Sequence, residues 1–207
     1  MNNFFLVFIT FLLFHLTYAF SLEPLQNAKS ISVSNIKCAP QVQKYLQAIL
    51  KIPEAKTLLE DIQKEGLIQI SAKSTVLSKR YGAFWDPDRR VIYVDLSPTR
   101  SEGSKIRFLL FELHNASVNS QFKHLNDLAK KGKINKKNYV ESMEYLEYIN
   151  TLKTAKLAEI GIKMGMLPSD SHLQTFSTFK EHFNAQKLSG HSACYAHNYE
   201  LRVKSHR

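Results

Sequence analysis

Residues 81–116, "YGAFWDPDRRVIYVDLSPTRSEGSKIRFLLFELHNA", predict a β-hairpin followed by an apolar helix. Two runs rich in β-branched and aromatic residues flank the turn-forming segment "DPDRR" (86–90). In that segment Pro87 presets φ, and the aspartates can accept hydrogen bonds from their own backbone. We therefore predict that residues 81–85 and 90–96 pair as antiparallel strands.

Two helices and two further short strands are expected before the hairpin. Pro40 and Pro53 each favour the first turn of a helix, and Gly66 is placed to end the second one. The runs "LIQI" (67–70) and "STVLS" (74–78) are short and contain β-branched residues, so both are predicted to be strands.

Helices dominate the chain after the hairpin. Apolar residues recur at helical spacing from Lys105, with Ser101 or Ser104 as the candidate N-cap. A long helix is predicted over about 138–160, and another helical stretch near 171–187 precedes a histidine-rich tail. The expected fold is one α+β domain with a small, mostly antiparallel sheet, N-terminal helices and long C-terminal helices.

Residues 1–19, "MNNFFLVFITFLLFHLTYA", have the features of a secretory signal peptide. The segment is apolar, lacks charged side chains and has Thr17 and Ala19 at a plausible cleavage site. The alternative is an uncleaved anchor, although the apolar run is short for a membrane span. We expect cleavage, a flexible lead-in over 20–37 and one domain over 38–207. The mature chain would be periplasmic or secreted and would have no transmembrane segment.

Export would place the two cysteines, Cys38 and Cys194, in an oxidising compartment. We predict that they form a disulfide, which would close a long loop and stabilise the fold by about 4 kcal/mol through chain entropy. The alternative is two buried free thiols. The chain contains no C-x-x-C pair, which argues against a zinc knuckle or a redox motif of that type.

The formal net charge of +10 makes attraction to anionic surfaces one candidate function. The basic runs around 130–137 and 202–207 lack interleaved aromatic residues and any nucleic-acid-binding motif. We therefore interpret them as a solvated basic surface and expect no nucleic-acid partner.

The helix sequence "FELHNA" (111–116), together with the hairpin and loop before it, resembles the zincin metallopeptidase fold across about 66–161. Zincins carry an H-E-x-x-H helix whose two histidines bind zinc and whose glutamate acts as general base. Here Phe111 and Asn115 occupy the two histidine positions, whereas Glu112 occupies the position of the base. The resemblance implies an α+β peptidase fold with a degenerate metal-binding motif.

The resemblance also implies a third metal ligand on the following helix, where Glu144 and Glu147 stand. Phenylalanine offers no ligand atom and an asparagine carbonyl is a poor zinc ligand, so we predict no metal and no other cofactor. His114 does not restore the motif, because it lies roughly 100° around the helix from Asn115. We expect instead that Glu112 and Asn115 meet Glu144 or Glu147 in a polar cluster, either structural or functional.

The candidate binding residues are Asn115, His114, Trp85 and Tyr148. The resemblance implies that an extended peptide would bind beside an edge strand, where Trp85 of the hairpin would line the cleft. Packing of this tryptophan in the core is the alternative.

The tail segment "HSACYAH" (191–197) has the residue types of a metal or nucleophile site. His191, Cys194 and His197 could share a metal, or Cys194 could act as a nucleophile with a histidine base. Further ligands are missing nearby, so a disulfide or surface histidines are the expected outcome.

Three functions are compatible with these observations. The first is an exported zincin-like protein that has lost its zinc ligands and acts without catalysis on an unidentified protein or peptide partner. The second is a divergent hydrolase that uses Glu112 with Glu144 or Glu147. The third is a basic exported module that binds anionic surfaces.

Overall fold

The computed structural model describes residues 36–204 and has an α+β fold. The predicted signal peptide and residues 20–35 of the predicted lead-in lie outside the described residues. Within the described range the strands are β1 (Ile36–Cys38), β2 (Ile68–Ser71), β3 (Ala83–Asp86) and β4 (Val91–Val94). The helices are α1 (Pro40–Leu50), α2 (Ala55–Glu65), α3 (Val76–Tyr81), α4 (Glu102–Ser117), α5 (Asn119–Lys130), α6 (Lys136–Lys163), α7 (Phe179–Ser189) and α8 (His191–Lys204), with a 3-10 turn at Ser169–Ser171.

The four strands form one mixed sheet in the order β1-β2-β4-β3. β1 pairs with β2 and β2 pairs with β4 in parallel, and only the β3–β4 pair is antiparallel. The prediction of a mostly antiparallel sheet is therefore wrong. The chain passes through α1 and α2 between β1 and β2, and through α3 and β3 before β4, and such crossovers return strands in parallel. The hairpin is confirmed, with Trp85 opposite Ile92.

The segment "STVLS" belongs largely to a helix, so the strand predicted for it is wrong. α3 begins after Thr75, whose side chain accepts a hydrogen bond from the Ser78 N–H at 3.0 Å. In return the Ser78 hydroxyl accepts from the Thr75 N–H at 2.8 Å, which completes a capping box. This local bonding outweighs the β preference of Val76, which is 84% exposed and gains little from packing.

Several predicted helix ends are confirmed. Pro40 is the first residue of α1, and Gly66, with a φ of 102°, ends α2. The start of α2 comes two residues later than Pro53, where it was predicted. Ser101 caps α4 by accepting a hydrogen bond from the Ser104 N–H at 3.1 Å.

The C-terminal half contains more helix than predicted. α6 covers the predicted range 138–160 and extends beyond both of its ends. α5 was not predicted as a separate helix, and it is divided from α4 at Val118, whose φ is −121°. The histidine-rich tail forms α8, which Gly190, with a φ of 79°, separates from α7. This extra helix brings tail residues back against α6.

α4 lies at the centre of the fold, in contact with β3 and β4 and with α1, α2 and α6. Its leucines Leu109, Leu110 and Leu113 are fully buried in the main hydrophobic core. A smaller apolar cluster around Phe122 lies where α5, α6 and α8 meet. In the part of the chain that the structure describes, no helix combines the length and apolar character needed to cross a membrane.

The predicted disulfide does not form, since Cys38 and Cys194 are both free thiols. Cys38 lies in β1 at one edge of the sheet. Cys194 lies in α8, with its sulfur 3.7 Å from the hydroxyl of Tyr81, which precedes β3 at the opposite edge. Three strand spacings, roughly 14 Å, separate these edges, whereas a disulfide needs Cα atoms within about 7 Å.

The first strand begins before residue 38, where the predicted domain starts. β1 begins at Ile36, so residues 36 and 37 belong to the sheet although they were assigned to the lead-in. Their pairing with β2 in parallel was not visible from the sequence, because a strand of three residues has too little pattern to identify.

Candidate functional site

Glu112 is a buried acidic residue held between α4 and β3, with 8% of its surface exposed. Its Oε2 atom accepts a hydrogen bond from the backbone N–H of Trp85 at 3.2 Å. The same oxygen accepts a second hydrogen bond from Nδ2 of Asn115 at 2.9 Å. The two α4 residues are three apart and therefore share a face of the helix.

The hydrogen bond to Trp85 lies at an edge of the sheet, because among the described strands β3 has a neighbour on one side only. The Asp95 N–H donates to the Gly82 carbonyl at 2.9 Å. Residues of an antiparallel strand alternate between those that hydrogen-bond to the neighbouring strand and those that do not. Because Gly82 bonds to β4's side of the hairpin, Ala83 and Trp85 direct their backbone groups away from β4. Glu112 thus satisfies an N–H that an added strand would otherwise bond, and it protects the edge from pairing.

Asn115 connects Glu112 to α6. Its Oδ1 accepts a hydrogen bond from Nδ2 of Asn150 at 2.9 Å, and both asparagines are almost fully buried. The predicted contact with a glutamate of this helix is thus replaced by a contact with an asparagine, while Glu147 acts on Glu112 through its charge. We call Glu112, Asn115 and Asn150, with the Trp85 N–H, the edge cluster.

A second group of polar residues, the glutamate–histidine cluster, consists of Glu144 and Glu147 of α6 and His191 of α8. Nδ1 of His191 lies 3.2 Å from Oε1 of Glu144, and Nε2 lies 3.5 Å from Oε2 of Glu147. Glu144 is completely buried and Glu147 nearly so, whereas the His191 side chain is 20% exposed. The imidazole is therefore held between two carboxyl groups on one face of α6.

Two hydroxyl groups of α8 orient these carboxyl groups. The Ser192 hydroxyl donates to Oε1 of Glu144 at 2.7 Å, and the Tyr195 hydroxyl donates to Oε1 of Glu147 at 2.5 Å. Each glutamate therefore has its Oε1 held by a hydroxyl of α8, whereas its Oε2 does not take part in these two hydrogen bonds.

His182 of α7 is buried beside this cluster without a hydrogen bond from the described residues to either ring nitrogen. Its Nε2 lies 3.8 Å from Oε2 of Glu144, which is too long for a hydrogen bond. That oxygen is also buried and has no hydrogen-bond partner in the described part of the chain. The ring of His182 packs against the rings of Tyr148 and Phe176. Two unpartnered polar groups thus face each other inside the protein.

Burial raises the pKa of Glu112 to about 8, because a carboxylate removed from water is disfavoured. The hydrogen bonds from Asn115 and Trp85 oppose this shift, and the negative charge of Glu147 adds to it. Glu112 is therefore mostly protonated at neutral pH, unlike an ordinary surface glutamate.

In the glutamate–histidine cluster, burial and neighbouring charges have opposing effects on the pKa values. Burial raises the pKa of Glu147, Glu144 adds to the rise, and His191 opposes it. Burial disfavours the imidazolium of His191, but the charges of Glu147 and Glu144 outweigh this effect and raise its pKa to about 9. The pKa of Tyr195 lies well above its usual value because burial and Glu147 disfavour a phenolate. In the absence of a ligand, His191 is therefore a cation between the two glutamates at neutral pH.

His114, a predicted binding residue, lies outside both clusters. It is 7% exposed, and burial together with the charge of Lys153 lowers its pKa to about 4. Its other charged neighbour is Asp61 of α2, so it faces the helical layer rather than the edge strand. His114 is thus a neutral, buried residue between helices.

The aromatic binding candidates are also largely buried. Trp85 is 5% exposed and belongs to the main core, where its indole N–H has no acceptor among the described residues. The hydroxyl of Tyr148 donates to the carbonyls of Phe176 and Ser177 at 3.5 and 3.4 Å. The cleft predicted for Trp85 is thus filled by core packing.

Sequence reasoning missed Asn150 of the edge cluster, and it missed Ser192 and Tyr195, which hydrogen-bond to the glutamate–histidine cluster. A usable signal existed in α6, where Glu144, Glu147 and Asn150 recur at three-residue spacing and so share a face. Nothing comparable identified their partners, which are far away in sequence.

Of the three candidate residues in the tail segment 191–197, one belongs to the glutamate–histidine cluster. His191 joins the glutamates of α6, whereas Cys194 approaches Tyr81 and His197 is exposed on α8. A shared metal site of His191, Cys194 and His197 therefore does not form in this arrangement, and neither does a cysteine–histidine catalytic pair.

Two surface cavities lie away from both clusters. A groove of about 770 Å³ between α5, α6 and α7 includes Tyr145 and Phe179 in its lining. A smaller cavity of about 340 Å³ beside α3 and the hairpin includes Phe84 and Arg89. Neither is lined by a residue of the edge cluster or the glutamate–histidine cluster, so neither gives a substrate access to these carboxyl groups.

Comparisons with known protein families, with curated proteins and with solved structures found no match to this chain.

Proposed function

We propose that this chain is an exported zincin-like protein that has lost the hydrolytic centre of that fold and acts by binding a protein or peptide partner. The observation that carries the proposal is the state of Glu112, which occupies the general-base position of the zincin helix. Its Oε2 accepts hydrogen bonds from the Trp85 backbone and from Asn115, inside the protein. The residue that would perform hydrolysis therefore holds the edge strand against α4.

The protonation state of Glu112 supports a structural role. A general base must be ionised and must lie within reach of the proton that it abstracts. The pKa of about 8 keeps Glu112 mostly protonated at neutral pH, and 8% exposure leaves little access for water or substrate. In addition, Phe111 and Asn115 remove the imidazoles that would hold a catalytic zinc on this helix.

The zincin-like part of the proposal rests on the order and placement of the elements. Within residues 36–204 the only antiparallel strand pair is the hairpin, β3 lies at the edge of the sheet, and α4 follows the hairpin and contacts β3. The next long helix, α6, contacts α4 and carries Glu144 and Glu147. These placements support the proposal, because the resemblance implies a helix after the hairpin, a substrate-binding edge strand and a third ligand on the next helix.

The hydrolase alternative has one observation in its favour. A carboxyl group whose pKa is about 8 is a proton donor at neutral pH, and the charge of Glu147 acts on it. Glu112 could then work as a general acid with Glu147 if a substrate reached it. The basic-surface alternative depends on the net charge of +10 alone.

An activity assay with a matched variant tests the proposal. The purified mature chain would be incubated with a quenched-fluorescence peptide library and with denatured proteins, from about pH 5 to about pH 9. Glu112→Gln is the comparison, because glutamine keeps an acceptor oxygen for both donors but cannot exchange a proton. We expect no cleavage above that of the variant. Cleavage by the wild type that Glu112→Gln loses, while Glu141→Gln retains it, would refute the proposal.

A vesicle-binding measurement distinguishes the basic-surface alternative from the proposed function. Binding to anionic phosphatidylserine vesicles that falls steeply between low and high salt would favour that alternative. We expect no binding beyond that to neutral phosphatidylcholine vesicles, because we interpret the basic runs as a solvated surface.

A further inference from the structure

We propose that Glu144, Glu147 and His191 form a binding site for one divalent transition-metal cation of the zinc class, between α6 and α8. Residues of α4 contribute no ligand, so this site is separate from the degenerate "FELHNA" motif. It extends the proposed function and does not depend on it, because a cation here would join two helices whether or not the chain has an enzymatic activity.

The separations between the ligand atoms fit a shared cation. One ligand atom from each of the three residues lies within 4.8 Å of the other two. Metal–ligand bonds of 2.0 to 2.2 Å place neighbouring ligands of a tetrahedral site about 3.4 Å apart. Nε2 of His191, the nitrogen that would bind the cation, is 3.5 Å from Oε2 of Glu147. To enclose a cation, the three ligand atoms would have to approach one another from separations of up to 4.8 Å.

Unpartnered buried atoms beside the cluster provide independent support. Oε2 of Glu144 has no hydrogen-bond partner in the described residues although the side chain is 0% exposed. Nε2 of His182, 3% exposed, faces it at 3.8 Å and is also unpartnered. A water bridging two atoms by ordinary hydrogen bonds separates them by about 4.5 Å, so 3.8 Å is closer to the separation of ligands around a cation. A cation held by Oε2 of Glu144 would therefore have Nε2 of His182 as a candidate fourth ligand.

The groups around the site orient the ligands. Ser192 and Tyr195 fix Oε1 of Glu144 and Oε1 of Glu147, respectively, and leave the two Oε2 atoms available. Nδ1 of His191 lies beside Glu144, so a hydrogen bond there would leave Nε2 to bind the cation near Glu147. Carboxylate and hydroxyl partners of this kind commonly set the orientation of metal ligands.

The donor set indicates which class of cation would bind. Mg²⁺ and Ca²⁺ prefer sites made of oxygen atoms, whereas imidazole nitrogen with carboxylate oxygen suits Zn²⁺ and related ions. The His191 side chain is 20% exposed, so one ligand of the site reaches the protein surface. We therefore choose Zn²⁺ as the probe, with Co²⁺ as its spectroscopic substitute.

Direct metal binding by the full chain tests the proposal. After treatment with a chelator, the protein would be dialysed against Zn²⁺ and its metal content measured, with affinity from calorimetry. We expect about one Zn²⁺ per chain, and an affinity reduced more than about tenfold in His191→Gln and in Glu147→Gln. Circular dichroism of each variant would verify that it is folded.

Two matched variants control for surface binding. Glu141→Gln changes a glutamate of the same helix, and His197→Gln changes an exposed histidine of α8. Both should bind Zn²⁺ as the wild type does, and the visible absorption of bound Co²⁺ should persist in them but disappear in His191→Gln. Wild-type protein without bound Zn²⁺ would overturn the proposal. Equal retention by folded His191→Gln and Glu147→Gln would overturn it as well.

This test is distinguishable from the assay for hydrolysis. Loss of Zn²⁺ binding in His191→Gln says nothing about peptide cleavage, and a finding of cleavage would not by itself locate a metal. Each measurement can therefore refute its own proposal without deciding the other.

Discussion

The backbone N–H of Trp85 donates to Oε2 of Glu112 at 3.2 Å, so a carboxyl group of the central helix closes the outer edge of the sheet. An unpaired edge N–H is a point where another strand can add. In this protein Glu112 of α4 takes that place at Trp85. The contact joins the hairpin to α4.

The first prediction concerns the pH dependence of stability at Glu112. Its pKa is raised from 4.5 to about 8 in the folded protein, so the folded state keeps a proton that the unfolded chain loses. This contribution is fully present below about pH 4.5 and is lost as the pH rises through about 8. We expect the wild type to lose up to about 1.4 kcal/mol per pH unit in this window relative to Glu112→Gln.

Urea unfolding of both proteins at several pH values, in the presence of a chelator, measures this difference. Titrating groups that do not interact with Glu112 affect both proteins equally, so the difference reports Glu112 together with its charge coupling to Glu147 and His191. A difference that stays constant from about pH 5 to about pH 8 would contradict the buried, protonated state of Glu112.

The second prediction concerns the hydrogen bond between Asn115 and Asn150. Replacing either by alanine leaves the other with an unsatisfied buried group, so each change should cost about 1 to 3 kcal/mol. The double variant should cost less than the sum of the single changes, by about 1 kcal/mol, because both partners are then removed. Denaturant unfolding of the four proteins gives the coupling energy.

Asn138→Ala provides the control for this cycle, because Asn138 is an exposed residue near the start of the same helix. Its effect should add to that of Asn115→Ala without coupling. Strict additivity between Asn115 and Asn150 would mean that the 2.9 Å contact contributes nothing to stability.

The third prediction concerns His114, whose pKa falls from 6.5 to about 4 because burial and Lys153 disfavour its charged form. The unfolded chain binds a proton more readily than the folded protein between these values. The contribution to stability is therefore fully present above about pH 6.5 and is lost as the pH falls through about 4. Between these limits the wild type should lose on the order of 3 kcal/mol more than His114→Gln.

Thermal or urea unfolding from about pH 7 to about pH 4 measures this loss. His124→Gln is the matched control, because His124 is an exposed histidine on the neighbouring helix α5. It should follow the wild-type profile. An identical profile for His114→Gln and wild type would show that His114 is accessible to solvent.

The fourth prediction concerns the thiols. The protein purified without reductant should contain two titratable thiols, because Cys38 and Cys194 are not bonded to each other. Burial raises the pKa of Cys38 from 9.0 to about 11, so its thiolate fraction near pH 8 should be about a hundredfold lower than that of an unshifted thiol.

A colorimetric thiol assay on Cys194→Ser would follow Cys38 alone, with the same variant in denaturant as the reference. The reaction should be slow in the folded protein and fast in denaturant. Absence of free thiols before reduction would show that the cysteines pair after all, and fast reaction in the folded state would contradict the burial of Cys38.

The sequence by itself determined the features that depend on neighbours along the chain. The turn residues of "DPDRR" between two β-rich runs specified the hairpin, and Ser101 and Gly66 marked a helix start and a helix end. The three-residue spacing of Glu112 and Asn115 placed both on one helix face, where they are hydrogen-bonded. These features were predictable because turn chemistry, capping and helical periodicity act over a few residues.

Only the tertiary structure decided how distant segments meet. The parallel pairing of β1 with β2, the separation of Cys38 from Cys194 and the approach of His191 to Glu144, 47 residues away, all depend on packing. Hydrophobic burial drives such contacts but does not specify partners from composition or periodicity. The same packing that buried Glu112 against the edge strand gathered two glutamates and a histidine on the other helices, and it thereby produced the cation site that we propose.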